Sequence, residues 1–221
     1  MELKKHFEDK LRQSLDERLG RPKTLPAKLL QEAMTYALLG AGKRVRPLMV
    51  LESALQCLPD AKAYQLAMPA ALAIEYVHAY SLIHDDLPCM DDDDYRRGKP
   101  SVHRRFGEAV AVLAGDALLS DAFGFVAQAK INPARQCFVL SQAIGSQGMV
   151  LGQLDDLVSP KKTLVTLQNK TGKLFECACR LGAIAVGAPA EQEQRLAHEG
   201  AQLGVEFQLA DNISDGEPNA F

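Results

Sequence analysis

From about Ala61 to Leu87 nearly every position is apolar or small, apart from Glu75, His78 and a closing His84-Asp85-Asp86. A helix that is apolar on almost all sides must be enclosed by other helices. Any polar group on such a helix has to line a cavity or be paired internally. Counting back from Asp85, Ser81 lies four positions earlier and His78 seven, so the three share one face, with Glu75 near the same stripe. At about 1.5 Å of rise per residue, His78 sits roughly 10 Å below the carboxylates. His78 alone also suits a satisfied core histidine, but aligned with an acidic mouth it points to a pocket.

The rest of the chain reads as helix. Leu3, Phe7, Leu11, Leu15 and Leu19 form one amphipathic face over 2–19. A second helix is predicted from about Ala27 to Leu39, and a third from Lys43 to about Gln56, with Pro47 tolerated only in its first turn. Pro88 is expected to end the central helix. Later helices are predicted over 106–129, 134–157, 163–186 and 190–213, with Gly145, Gly148 and Gly152 giving one of them a smooth strip for close approach. Period-two alternation is nowhere sustained, so no sheet is expected. Trp is absent and aromatics are 6%, leaving Leu and Ala to fill the core, which favours helices. The expectation is one all-α domain spanning 1–221.

A net charge of −3 argues against a general nucleic-acid binder. The charged N-terminus has no apolar signal core, and no apolar run is expected to reach the roughly 18–20 residues of a membrane span. Five scattered cysteines without a Cys-x-x-Cys pair read as reduced thiols. Together these suggest a cytoplasmic protein without membrane partners.

Six aspartates crowd residues 85–94, followed at once by Arg96 and Arg97. Packed carboxylates raise one another's pKa unless a cation intervenes. Oxygen-only ligands select a hard ion such as Mg2+ or Ca2+, and adjacent arginines suit bidentate phosphate contacts. Asp92 to Asp94 equally suit a solvated loop, whereas Asp85 and Asp86 end an apolar helix where desolvation is costly without a cation. The spacing excludes an EF-hand. Lys43 and Arg46, three apart after Gly40-Ala41-Gly42, can face one anion while Arg44 points aside; Arg44 in place of Ser or Thr excludes a Walker P-loop.

Gly42-Lys43-Arg44-Val45-Arg46-Pro47, His78, Asp85-Asp86-Leu87-Pro88-Cys89-Met90-Asp91 and Arg96-Arg97-Gly98 closely resemble the trans-isoprenyl diphosphate synthases. The likeness continues through Phe106-Gly107-Glu108-Ala109, Ala114-Gly115-Asp116-Ala117-Leu118, Gly152-Gln153 with Asp156, and Lys170-Thr171-Gly172, covering roughly 30–215. The two residues inserted in the aspartate motif, with Tyr80-Ser81 before it, look like the bacterial farnesyl diphosphate synthases. The resemblance implies an antiparallel helical bundle around a central apolar cavity, and a homodimer. It implies that Asp85, Asp86 and Asp91 bind Mg2+ bridging an allylic diphosphate that Arg96 contacts. Lys43, Arg46, His78 and Arg97 would hold isopentenyl diphosphate, and Lys170, Thr171 and Gln208 would bind or position the allylic substrate. Tyr80 and Ser81 would close the tunnel and limit product length, although plain core packing suits Tyr80 equally.

The family's second aspartate motif follows a Phe-Gln pair, here Phe207-Gln208 and then Asp211-Asn212-Ile213-Ser214-Asp215. Asp211 and Asp215 can still share a helical face as metal ligands, but the middle carboxylate is Asn212. The chain also stops at Phe221, where family members continue for several helices, so an incomplete synthase is expected. Two further readings follow: an impaired homologue or partner subunit that binds diphosphates without turnover, and a Ca2+-binding structural module.

Overall fold

The computed structural model describes residues 2–159 and 163–214. The protein is all-α: α1 Glu2–Leu19, α2 Leu25–Leu38, α3 Val45–Cys57, α4 Lys62–Asp85, α5 Val102–Phe106, α6 Glu108–Ala127, α7 Pro133–Ile144, α8 Met149–Val158, α9 Leu164–Leu167, α10 Lys173–Ala185 and α11 Ala190–Ser214. Two compact units are distinguished, residues 1–48 with 72–125 and residues 49–71 with 126–221.

In the first unit α1 buries Phe7, Leu11 and Leu15, as their spacing requires. Ser14 on the same helix meets the Tyr76 hydroxyl of α4 at 3.1 Å, and the Tyr76 ring packs edge-on against Phe125 of α6. Arg18 closes this corner by covering the Phe125 ring and bonding Asp121 at 3.0 Å. Thr24 caps α2, with Pro26 in the first turn, where its missing N–H is not needed.

In the second unit α10 is the enclosed element, burying ten residues from Leu174 to Ala185. Close approach there depends on glycine: a Cβ at Gly182 would meet the Val50 carbonyl and the Ser53 side chain of α3, and one at Gly200 of α11 would stand 2.8 Å from the Phe175 carbonyl.

Several expectations need correction. A small antiparallel hairpin is present, Tyr95–Arg96 (β1) with Lys99–Pro100 (β2). Its two-residue turn has both Arg97 (φ 53°) and Gly98 (φ 75°) in the left-handed region, the type I′ geometry that a pattern search for longer strands overlooks. Lys43 does not open α3, because Arg44 is also left-handed (φ 57°) and the helix starts at Val45. The predicted helix over 134–157 is two helices, since Gly145 and Gly148 interrupt it and only Gly152 lies inside α8. The segment predicted over 163–186 changes helical type within it, through a π segment at Gln168–Gly172. By length and composition α4 and α6 are each apolar enough to cross a bilayer, because single residues such as Glu75 and His78 interrupt a run without lowering its average much. The apolar window of α4 is 72% buried, that of α6 only 39%, so α4 is the core helix expected and α6 leaves apolar surface uncovered.

Candidate active site

Asp85 closes α4 and Asp86 follows it, at the end of the helix where the backbone dipole is negative. Carboxylates are electrostatically misplaced there unless a cation answers them. The loop that follows folds back on the helix: the Asp91 N–H donates to the Asp85 carbonyl (2.9 Å), and those of Met90 and Asp92 donate to Leu87 (2.8 and 3.1 Å). The first of these bonds satisfies a carbonyl that the helix end leaves open, and together they hold Asp91 close to the two residues it was predicted to work with. The end of α4 is pinned to α6 by His84, whose ring bonds the Val112 carbonyl at 3.1 Å in a space that a Cβ on Gly115 would fill.

Asp86 is 2% exposed. Arg96 bonds it through two guanidinium nitrogens and bonds Asp93 at 2.8 Å. Burial pushes the Asp86 carboxyl above its ordinary range, and the Arg96 bonds pull back only part of that rise. A desolvated carboxylate not fully compensated by its present partner, beside Asp85 and Asp91, is an oxygen donor set that fits a hard divalent ion. Among the described residues no three such groups already converge within metal-binding reach. Arg96 itself holds one of the carboxylates in this arrangement.

The hairpin turn sends the two arginines to different partners. Arg97 Nη2 lies 3.3 Å from His78 Nε2, and its guanidinium lies over Gly42, where a Cβ would approach it to 2.9 Å. Burial first, and then Arg46, Arg97, Arg44 and Arg96, drive the His78 pKa well below its ordinary 6.5, leaving it neutral. Arg46 on α3 thus acts on His78, while Lys43 is exposed in the segment before the helix. Arg44, expected to point aside, is buried: it pairs with Glu75 and donates to the carbonyls of Leu38 (2.9 Å) and Gly40 (2.8 Å). This pair ties the glycine loop to α4 one turn below His78. Neither its closeness nor Asp93 as partner of Arg96 was read from the sequence, although a residue of opposite charge three positions from Arg96 was a usable signal.

Tyr80 is buried against His84 at 5.8 Å between ring centroids, and burial followed by the charge of Asp85 pushes its hydroxyl up to about 12. Ser81 donates to the His78 carbonyl at 3.0 Å, on the face predicted for it.

The remaining predicted residues belong to the second unit. Lys170 and Thr171 lie in the π segment; Lys170 donates to Asp156 of α8 at 2.6 Å and Thr171 to Gln208 of α11 at 2.8 Å. Thr171 and Gln208 are therefore direct partners, which their separation of 37 residues did not disclose. Asp211 lies in α11, but its side chain is outside what is described, and Asp215 lies outside the described residues.

A family profile described as polyprenyl synthetase matches residues 27–219. The chain is 45% identical over 204 residues to the farnesyl diphosphate synthase of Geobacillus stearothermophilus, covering 87% of this chain and 67% of that protein. It is 45% identical over 199 residues to geranylgeranyl pyrophosphate synthase 7, chloroplastic, of Arabidopsis thaliana, covering 84% of this chain and 56% of that one. The chain thus spans little more than half the length of the plant relative. The crystal structure of an FPP/GFPP synthase from Zymomonas mobilis is similar at a TM-score of 0.86 and 38% identity, covering 96% of this chain and 80% of that one.

Proposed function

The chain belongs to the polyprenyl synthetase family, and we propose that it is a trans-prenyltransferase condensing isopentenyl diphosphate with dimethylallyl or geranyl diphosphate to give farnesyl diphosphate. The observation that carries this reading is the buried Asp86, held between burial and Arg96 at the negative end of an apolar helix. Asp85, Asp86 and Asp91 would hold Mg2+, which when bound supplies positive charge to the diphosphate as the allylic carbon–oxygen bond breaks. Arg96 passes from Asp86 and Asp93 to the allylic diphosphate oxygens. Lys43, Arg46 and Arg97 bind the second diphosphate as fixed cations, and neutral His78 adds a hydrogen bond without further repulsion. Lys170, Thr171 and Gln208 orient the allylic substrate. Uncharged side chains on α4 protect the allylic cation from nucleophiles, and Tyr80 and Ser81 limit chain growth.

Free cysteines, two of them buried, support a reducing cytoplasmic setting, and exposed Val112 and Leu113 on α6 support a homodimer. Asn212 favours a second reading, in which a homologue or partner subunit binds diphosphates without turnover. Incubation with isopentenyl and geranyl diphosphates and Mg2+ is expected to yield farnesyl diphosphate. Absence of any allylic product rejects the enzyme reading, and a geranylgeranyl product rejects the assigned chain length. Mg2+-dependent diphosphate binding without product supports the second reading.

A further inference from the structure

Between α9 and α10 the backbone changes to π geometry for five residues, Gln168–Gly172. A π turn sacrifices regular helical bonding and occurs often at functional sites. Here the widened turn has a seat on α8. A Cβ on Gly152 would collide with the Lys170 amide nitrogen and lie 2.6 Å from the Asn169 carbonyl carbon and 2.7 Å from the Lys170 Cα. One turn further along the same face of α8, Asp156 accepts from the Lys170 ammonium at 2.6 Å, with its side chain only 10% exposed. The helix therefore offers the bulge one residue with no side chain, where the backbone must come close, and one carboxylate, where the long lysine side chain must be held.

We infer that Gly152 and Asp156 are positioning residues for Lys170: the glycine sets where the lysine leaves the backbone, and the carboxylate sets where its ammonium points. This inference rests on the proposal that Lys170 contacts the allylic diphosphate. A charge-assisted bond restricts a side chain that otherwise samples many rotamers, so the ammonium meets the substrate from one preset direction. Gly152 and Asp156 thereby gain a joint role that spacing in the sequence did not assign.

The test uses the full chain, varying geranyl diphosphate at saturating isopentenyl diphosphate and then the reverse. Asp156→Asn, which keeps the side chain's shape, is expected to lower kcat/KM for geranyl diphosphate by about tenfold and to leave the KM for isopentenyl diphosphate unchanged. Asp156→Glu should recover part of the loss. An unchanged Asp156→Asn enzyme, or one equally impaired toward both substrates, overturns the inference. Gly152→Ala should show the larger loss, and Asp156→Asn decides if that variant fails to fold. A second readout needs no turnover: acylation of Lys170 by a lysine-selective reagent, quantified by peptide mass. It should be several-fold faster in Asp156→Asn, and the thiolodiphosphate analogue of geranyl diphosphate should protect Lys170 better in the unaltered chain. If that chain makes no product, the reaction proposal fails by itself and this labelling decides the inference: equal acylation and equal protection in both proteins overturn it.

Discussion

The segment from Asp85 to Arg97 and the segment from Asn169 to Gly172 place side chains by different balances of charge and backbone shape. The first is held by charge: Arg96 on Asp86 and Asp93, Arg97 on His78, and below them the buried Arg44–Glu75 pair. The second is seated by backbone shape, a π turn accommodated where α8 and α11 have glycine, with a single charged contact, Lys170 on Asp156, added to that seat. Charges arranged this way can be redistributed when a ligand brings its own, whereas a backbone seat keeps its geometry whatever binds. The difference teaches that side chains placed by charge can adapt while those placed by backbone shape stay preset.

If the contrast is sound, the two segments should fail differently. The largest effect is expected from Glu75→Leu, which removes the buried carboxylate from the Arg44 guanidinium, leaves it only the more exposed Glu8 at 3.7 Å, and should cost about 3–5 kcal/mol in urea unfolding. The double variant Arg44→Met/Glu75→Leu should be milder, because no buried charge is stranded. An equal loss in both would mean that packing, not charge, holds the loop to α4. Next is Gly204→Ala in α11, whose new methyl would approach the Gly172 Cα and the Phe175 Cβ to 2.9 Å. Crowding there should cost about 1–3 kcal/mol, and the loss should not vary with salt or pH. Salt dependence would break the comparison.

The smallest effect comes from His78. Its folded-state pKa lies well below 6.5, so the unfolded chain takes up a proton near that pH while the folded chain resists it. This part of the stability is intact above pH 6.5 and is lost as pH falls below it, by at most about 1.4 kcal/mol per pH unit. Unfolding curves at pH 7 and 5.5 should therefore converge in His78→Gln relative to the unaltered protein. A pH response unchanged by that substitution would show that burial and the surrounding arginines do not hold the imidazole neutral.

What was legible in the sequence follows the same division. The enclosed α4, its polar stripe and the acidic mouth were readable because residue type and 3.6-residue spacing determine them directly. The seat of Lys170 was not. A π turn has no compositional signature, and although Gly152 and Asp156 both stood out, the glycine as one of three spaced three and four apart and the pair as part of the family resemblance, neither signal linked them to Lys170. Arg44 escaped for a related reason, since its left-handed backbone redirects the side chain inward where helical counting had placed it aside. The hairpin at Tyr95–Pro100 is too short for alternation, yet it is what separates Arg96 from Arg97.

The central claim is that the acidic end of α4 holds a diphosphate through a divalent ion. Calorimetric titration with the thiolodiphosphate analogue of geranyl diphosphate, with and without Mg2+, tests it most directly. Binding is expected to require Mg2+ and to weaken by about a hundredfold or more in Asp85→Ala, the scale of losing a charged ligand to a bound ion. Binding of equal strength without Mg2+, or unaltered by Asp85→Ala, would contradict the account.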